Sequence, residues 1–300
     1  MLRREAGVGY LPIEDHGVIG NLYTAALVGT DGTIDWLCLP AFDSPSVFCS
    51  ILDDEKGGHF ALRPVEYTHS HQLYLPDTNV LLTRFFSPAG LAETLDFMPI
   101  VTRPGERHRL VRNVRVIRGK IHFRVECFPA FDYARRDHTV SVGKSGAVFA
   151  SGDHCLGLAT DVRLEKGAAG AAGTHFALGE GEKATFVLAH LRRGEGTGEI
   201  LSDVGFEELL HGTLGYWRRW LSNSTYQGRW REIVHRSALV LKLMVYDPTG
   251  ALVASPTMGL PERIGGERNW DYRYTWLRDA ALALYALIYV GFEDEARHFM

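Results

Sequence analysis

The spacing of apolar residues changes once along this 300-residue chain, and that change constrains the fold more than any other feature. Up to about residue 204, apolar side chains alternate with polar ones in short runs, which is typical of half-buried strands. After about Gly205 they recur at every third and fourth position, which is typical of helices that pack through one face. The sequence therefore predicts a β-rich unit followed by a helical unit.

Short strands account for most of the first two hundred residues. Between residues 120 and 128, apolar and polar side chains alternate strictly, as expected for a strand with one buried face. A hairpin is predicted at residues 24–37, with its turn at residues 29–32. Further strands are predicted at residues 80–86, 91–97, 110–117, 147–150 and 184–189. Turn signals separate these runs, one of them at Gly119, and this pattern favours a β-sandwich over a parallel sheet.

The later part of the chain predicts helices. They are expected at residues 206–221, 229–246, 275–290 and 292–300. Residues 280–290 carry no polar group except two tyrosine hydroxyls, so this helix is expected to be buried on every side. The few helices present do not supply enough neighbours for it. Met300 also falls within a helix-forming sequence that lacks a capping residue. We therefore expect the chain to be the N-terminal portion of a longer protein.

Composition disfavours several classes of function. The net charge is −4, with 32 basic and 36 acidic residues and no long basic run, so neither nucleic acid nor an anionic membrane is an expected partner. The longest apolar run is well short of the ~20 residues that span a bilayer. The four cysteines are far apart and show no metal-ligand spacing, which indicates free thiols in a reducing compartment. With no secretory signal at the N-terminus, a cytoplasmic location is expected, whereas the oligomeric state is not predicted.

One short segment concentrates residues suited to binding a sugar. Residues 269–279 contain two Trp, two Tyr, two Arg and two Asp, directly before the apolar run. Aromatic rings can cover the C–H faces of a sugar, and charged groups can bind its hydroxyls. The alternative is a crowded helix start, in which Arg278 and Asp279 form a structural ion pair and Asp279 suits the positive end of the helix.

Two blocks of sequence carry a resemblance to a known family. Residues 265–280, with the sequence GGERNWDYRYTWLRDA, resemble the signature of glycoside hydrolase family 15, which includes glucoamylases and bacterial trehalases. Residues 13–20, 24–29 and 35–46 resemble the prokaryotic trehalase-like N-terminal domain. Because the two blocks lie at opposite ends and in the right order, the resemblance spans the whole chain.

The resemblance implies a multi-domain plan in which β structure precedes α structure. A β-sandwich N-terminal domain is expected at residues 1–204, a linker helix at 205–227, and the first helices of an (α/α)6 toroid at 228–300. Twelve toroid helices need roughly 180–200 residues with their connections, so most of the toroid would lie beyond this chain.

The resemblance also implies a reaction. The family hydrolyses α-glucosidic bonds with inversion, using one glutamate as general acid and another as general base. Both are expected beyond Met300, so the chain alone is expected to be inactive and to hold no catalytic residue. Four glutamates of the helical part match neither catalytic motif and are expected to be surface or loop carboxylates: Glu262, Glu267, Glu293 and Glu295.

By the same resemblance, four residues are expected to contact the terminal glucose: Tyr272, Trp276, Arg278 and Asp279. Three further residues are candidates for contact with the sugar: Phe42, Asp43 and Trp270. For Trp270, packing in the core is an equal alternative. Ala41 stands where relatives often have arginine, which weakens the case for trehalose over a maltooligosaccharide. No cofactor or metal site is expected, although phosphate and Mg²⁺ are compatible with a trehalase type. Two other functions stay open, a non-catalytic carbohydrate-binding protein and a phosphorylase with a similar domain plan.

Overall fold

The computed structural model describes residues 10–101, 106–260, 262–263 and 266–300. Within these residues, antiparallel strands account for the chain up to Leu191, and the long helices begin at Asp203. The predicted β-rich first part followed by helices is therefore confirmed. The predicted hairpin is also present, because the strand Ala25–Gly29 pairs antiparallel with the strand Thr33–Cys38.

Fifteen strands among the described residues build the β-rich part. They are β1 (His16–Gly20), β2 (Ala25–Gly29), β3 (Thr33–Cys38), β4 (Ser46–Phe48), β5 (His59–Pro64), β6 (His69–Tyr74), β7 (Leu81–Ser87), β8 (Gly90–Phe97), β9 (Arg109–Phe128), β10 (Thr139–Gly143), β11 (Gly146–Ser151), β12 (His154–Ala159), β13 (Glu165–Lys166), β14 (Ala172–Gly179) and β15 (Lys183–Leu191). Strands β1, β2, β3, β5 and β14 lead to one end of β9, whereas β6–β8, β15, β12, β11 and β10 lead to its other end. The long strand β9 therefore joins two layers.

Gly119 is not a turn, so the prediction of two separate strands there is wrong. It lies within β9, opposite Gly90 of β8, and has a φ of 84°. Residues with a Cβ rarely adopt that backbone conformation, and a Cβ at Gly119 would lie 2.1 Å from the carbonyl oxygen of Ala89. The glycine thus lets one strand continue past a close neighbour and pass from one layer to the other, instead of ending there.

One apolar core lies between the two layers. It includes Ile34 and Phe60 from the first layer together with Val114, Phe149 and Phe186 from the second. The strict alternation predicted for residues 120–128 is confirmed, since the apolar members of that run are buried. The layers therefore bury one face each against the other, as the sequence pattern requires.

A fully buried ion pair crosses this core, which the sequence pattern did not predict. Arg112 of β9 binds Asp96 of β8, with Nε to Oδ1 at 2.8 Å. The same guanidinium donates to the carbonyl oxygens of Phe60, at 2.6 Å, and Gly32, at 2.7 Å. Because Phe60 and Gly32 belong to the other layer, Arg112 ties the two layers together with directional bonds.

The helices are α1 (Phe131–Ala134), α2 (Asp203–Leu221), α3 (Arg231–Leu243), α4 (Leu277–Tyr289) and α5 (Glu293–Phe299). In α1, a single turn, residues 132–134 have φ between 55° and 61°, so it is left-handed. Ser202 caps the N-terminus of α2, where its Oγ accepts from the Gly205 amide at 3.1 Å. One face of α2 packs on the second layer through Phe206, Leu210 and Leu214.

Helix α4 is buried on one face only, which agrees with the expectation that the helices present supply too few neighbours to cover it. Ala280, Ala283, Leu284 and Leu287 face a second core shared with α2, α3 and the loops of the β-rich part. Five large side chains of the opposite face are exposed: Leu277, Leu282, Tyr285, Ile288 and Tyr289. The helices among the described residues cover one side of α4, which leaves the other side in contact with water.

All four cysteines are buried and free. Among the described residues, no helix is long and apolar enough to cross a bilayer.

Candidate functional site

The polar-aromatic segment is an irregular stretch of backbone that precedes helix α4. Its backbone lies beside residues 254–259: the Ala254 amide donates to the carbonyl of Tyr274 at 3.1 Å, and the Ser255 amide donates to that of Tyr272 at 2.9 Å. Along this stretch Arg273 is buried, whereas the neighbouring Tyr274 is exposed. The segment therefore directs some residues toward the β-rich part and others toward water.

Two predicted sugar contacts form one aromatic surface. The rings of Tyr272 and Trp276 are stacked, with centroids 4.9 Å apart and an angle of 22° between their planes. Trp276 Nε1 donates to the carbonyl of Asp271 at 3.3 Å, which fixes the indole relative to the segment. Both rings are partly exposed. A partly exposed aromatic pair with a fixed orientation suits the C–H face of a sugar ring.

The predicted charged pair lies beside these rings, at the first turn of α4. Arg278 Nη2 binds Asp279 Oδ2 at 2.9 Å, and the Arg278 guanidinium carbon lies 5.8 Å from the centre of the Trp276 ring. Arg278 is largely exposed. An exposed ion pair stabilises a fold by only about 0–1 kcal/mol, so stability alone explains little of it. Its donors and acceptors face solvent together, an arrangement that suits a pair of neighbouring hydroxyls.

The three less firmly predicted contacts lie in different environments. Phe42 is buried in the second core, where its ring packs edge-on against Tyr246 with centroids 6.4 Å apart. Asp43 is exposed in the same loop, and Trp270 is about half exposed. Phe42 therefore has a packing role in this structure, whereas Asp43 and Trp270 present their side chains to solvent. Direct contact of any of the three with a sugar stays a prediction.

Sequence reasoning missed the residue that joins this segment to the β-rich part, Arg273. Its guanidinium binds Asp271 through two bonds, Nε to Oδ1 at 3.0 Å and Nη2 to Oδ2 at 2.8 Å. Nη1 donates to the carbonyl oxygens of Phe42, at 3.1 Å, and Ser44, at 2.7 Å. The alternation of charged and aromatic residues in the segment was the only sequence signal that one charged residue faces inward.

The electrostatics of this pair follow from its burial. Burial disfavours the charged form of Arg273, but the hydrogen bonds to Asp271 together with the electrostatic attraction of neighbouring groups raise the pKa of the arginine overall. Burial likewise opposes ionisation of Asp271, but its hydrogen bonds with the Arg273 side chain and amide lower its pKa overall. Both groups are therefore charged across the range in which proteins are stable.

One glutamate is placed differently from the expectation of surface carboxylates. Glu295 of α5 is buried, binds Lys242 Nζ at 3.1 Å and accepts from Trp220 Nε1 at 2.6 Å. It lies where α5 meets α2 and α3, and a carboxylate buried in such apolar surroundings requires these two partners. Glu262 and Glu293 are exposed and paired with arginines, as expected for surface carboxylates.

In the described part of the chain, no group of three or more His, Cys, Asp or Glu side chains could hold a metal ion. Of the motif at residues 265–280, Gly265 lies outside the described residues.

Comparison with known proteins gives two family matches. Residues 3–201 match the family described as trehalase-like, N-terminal, and residues 228–300 match glycosyl hydrolases family 15. The second match contains the stacked rings, the Arg278–Asp279 pair and Arg273.

Similar curated proteins are trehalases. One from Thermoplasma volcanium is 39% identical over 97% of this chain and 47% of its own length. One from Thermoplasma acidophilum is 39% identical over 91% of this chain and 47% of its own length, and one from Mycolicibacterium smegmatis is 34% identical over 96% and 46%. The chain therefore spans about half the length of the curated relatives it matches.

Proposed function

Because the chain belongs to glycoside hydrolase family 15 and carries its trehalase-like N-terminal domain, we propose that it serves hydrolysis of an α-glucosidic bond, with trehalose as the favoured substrate. The names of its relatives support trehalose over a maltooligosaccharide. In this proposal, residues 1–204 are the β domain, residues 205–227 the linker, and residues 228–300 the first helices of an (α/α)6 toroid. The exposed apolar face of α4 supports the toroid, since such a face suits further helices.

The observation that carries the proposal is the grouping of a stacked aromatic pair with an exposed Arg–Asp pair. Tyr272 and Trp276 offer an apolar surface, while the Arg278 guanidinium lies over the Trp276 ring, 5.8 Å from its centre, and is paired with Asp279. A glucose ring has the same division, with C–H bonds on its faces and hydroxyls at its rim. The guanidinium donates to hydroxyl oxygens and the carboxylate accepts from hydroxyl hydrogens, so both halves of a diol are satisfied.

These residues would bind and orient the sugar, and would not exchange protons with it. Inverting hydrolysis requires a general acid at the leaving oxygen and a general base for water, with carboxyl groups about 6.5–9.5 Å apart. We propose that both lie outside these 300 residues. The contacts of the glutamates support this: Glu295 is held in a buried ion pair, and Glu293 is paired with Arg297 at 2.8 Å.

Binding of trehalose by the purified chain tests the proposal. Saturation-transfer NMR detects weak binding, so it suits a pocket of which only one wall is present. We expect trehalose signals with the wild-type chain and their loss with Arg278→Lys or Asp279→Asn. Removing a hydrogen bond to a charged group costs about 1.5–3 kcal/mol, or roughly a 10- to 150-fold loss of affinity.

The matched control is Arg297→Lys, which alters another exposed arginine, on α5, paired with Glu293. This variant should bind trehalose like the wild type. Equal signals from all four proteins, or none from the wild type, would contradict a sugar site at Arg278 and Asp279. Binding that is retained together with measurable turnover would contradict the placement of the acid and base, and binding without turnover in any longer form would favour a non-catalytic carbohydrate-binding protein.

A further inference from the structure

The side chain of Arg273 is buried against the β domain. It lies between Tyr272 and Tyr274, and Tyr274 is 52% exposed whereas Arg273 is 5% exposed. The backbone bends at Arg273 and Tyr274, so these two neighbouring side chains enter different environments, one against the β domain and one in solvent. The orientation of the aromatic surface is thereby linked to what Arg273 contacts.

The β domain offers Arg273 a set of acceptors that no apolar residue could satisfy. Nη1 donates to the carbonyls of Phe42 and Ser44, at 3.1 and 2.7 Å, and lies 3.4 Å from Cys38 Sγ. These residues belong to β3 and to the loop that follows it, more than 220 positions earlier in the chain. Because a guanidinium is a planar fork, it can hold this loop and Asp271 at once, which a lysine ammonium cannot do in the same geometry.

A left-handed turn of the β domain completes the surroundings of Arg273. The ring of Tyr133 lies 5.7 Å from the Arg273 guanidinium carbon. Tyr133 has a φ of 58°, between Asp132 at 55° and Ala134 at 61°. Three consecutive residues with a Cβ rarely adopt this conformation, so the surrounding contacts must hold it in place. One of them is the Tyr133 amide, which donates to Ser46 Oγ at 3.2 Å in the same loop region that receives Arg273.

The backbone beside the motif segment is held by the β domain as well. Trp36 Nε1, from β3, donates to the carbonyl of Pro256 at 2.7 Å. The adjoining Ser255 amide donates to the carbonyl of Tyr272 at 2.9 Å. The β domain therefore fixes the segment from two directions, through Trp36 on its backbone neighbour and through Arg273 on the segment itself.

A chain of contacts leads from Arg273 to the proposed sugar contacts. Arg273 fixes Asp271, the Asp271 carbonyl accepts from Trp276 Nε1 at 3.3 Å, and Trp276 stacks on Tyr272. Resting on the function proposed above, we infer that Arg273 is a positioning residue, through which the β domain acts as the template that orients the aromatic wall of the sugar site. The β domain would then contribute to sugar recognition without touching the sugar through this residue.

The test compares Arg273→Lys with Arg268→Lys in the purified chain. Arg268 lies just before the same segment, is exposed and pairs with Glu262 at 3.2 Å, so it controls for the change from arginine to lysine. Hydrogen–deuterium exchange reports the opening of residues 270–276. Iodoacetamide labelling, resolved by peptide mass spectrometry, compares Cys38, which Arg273 contacts, with Cys127, which is buried in the sandwich core.

We expect Arg273→Lys to speed exchange at residues 270–276 by about tenfold or more, which corresponds to about 1.4 kcal/mol. Labelling of Cys38 should rise, because burial raises the pKa of this thiol to about 12 and keeps it unreactive in the wild type. Labelling of Cys127 and the behaviour of Arg268→Lys should stay at wild-type level. Unchanged exchange, or a parallel rise at Cys127, would overturn the positioning role.

Repeating the exchange measurement with trehalose separates this inference from the proposed function. Trehalose should slow exchange of the segment in the wild type and in Arg268→Lys, but not in Arg273→Lys. A wild type that trehalose does not protect would contradict the sugar site, while the sugar-free exchange and labelling would still show whether Arg273 positions the segment. Equal protection of Arg273→Lys and wild type would overturn the inference and leave the sugar site standing.

Discussion

Replacing Arg112 with methionine should destabilise the protein far more than replacing an exposed arginine of the same layer. Methionine has a similar length and fits an apolar core, so the change removes charge and hydrogen bonds more than volume. It leaves Asp96 buried without its cation and removes a donor from the Phe60 carbonyl. Breaking a buried ion pair on one side costs about 3–5 kcal/mol. Since the free energy of unfolding of a typical domain is about 5–15 kcal/mol, this loss is a large fraction of the total stability.

Urea unfolding followed by tryptophan fluorescence and circular dichroism measures the loss. At about 2–4 °C per kcal/mol, the midpoint of thermal unfolding should fall by roughly 6–20 °C. The control is Arg84→Met, because Arg84 of β7 pairs with Glu93 of β8 at 2.5 Å and is 41% exposed. Glu93 is only 12% exposed, but it keeps Arg115 as a partner at 3.4 Å, so this variant should lose about 1 kcal/mol and unfold much closer to the wild type than Arg112→Met does.

A double variant separates the ion pair from general damage to the core. Arg112→Met combined with Asp96→Leu removes both charges, and apolar replacement of a whole buried pair is often close to neutral. The double variant should therefore recover much of the stability that Arg112→Met loses. The reasoning is refuted if Arg112→Met loses no more free energy of unfolding than Arg84→Met. It is also refuted if the double variant loses more than the losses of the two single variants added together.

Four further predictions concern other parts of the molecule. His16 Nε2 binds Asp35 at 2.7 Å and Nδ1 lies 2.9 Å from the Pro12 carbonyl oxygen; burial lowers the pKa of His16, but the hydrogen bond and charge of Asp35 outweigh burial and raise this pKa overall. The free energy of unfolding lost in His16→Gln should therefore be greatest below about pH 6.5 and should shrink as the pH rises through the raised pKa. A loss that does not depend on pH in urea unfolding would contradict this. Glu295→Gln should cost about 3–5 kcal/mol in the same assay, whereas Glu293→Gln, two residues away and exposed, should cost at most about 1 kcal/mol; equal losses would contradict the buried pair. The purified chain should release no glucose from trehalose or maltose above an enzyme-free control, and turnover would contradict this. The light scattering of the chain should fall in Leu282→Glu, because this change places a charge on the exposed apolar face of α4, and scattering that the change leaves unaffected would contradict that expectation.

Much of the fold could be predicted from periodicity because periodicity reports which side of an element is buried. The alternation at residues 120–128 and the stripes of the later helices both correspond to elements of the structure. Periodicity cannot report whether an element continues through a glycine, since that depends on a neighbour such as β8, which comes close to Gly119. Nor can it report which face of an all-apolar helix such as α4 is the covered one, since that depends on where α2 and α3 lie in the folded chain.

The candidate site was predicted in its composition but not in its supports. The motif at residues 269–279 indicated a sugar site through residue types alone, and the structure brings Tyr272, Trp276 and Arg278 close together. Arg273 was overlooked because charged residues are mostly exposed, and nothing in the sequence distinguishes it from Arg278 five positions later. The distinction comes from the loop at residues 42–44, which is distant in sequence and offers carbonyl oxygens only in the folded chain.

Three arginines with the same kind of contact explain why the parts of this chain hold a fixed arrangement. Arg112 joins the two β layers, Arg236 donates from α3 to the Thr78 carbonyl at 2.7 Å and to Asn79, and Arg273 joins the motif to the loop after β3. In each case the acceptors include backbone carbonyls, which must find donors once they are buried. An apolar contact would leave those carbonyls unsatisfied and would tolerate sliding, whereas a guanidinium fork is satisfied in one orientation. The orientation of the aromatic wall is therefore set by directional bonds from the β domain, and a change that preserves apolar packing but removes a fork should loosen the site before it unfolds the chain.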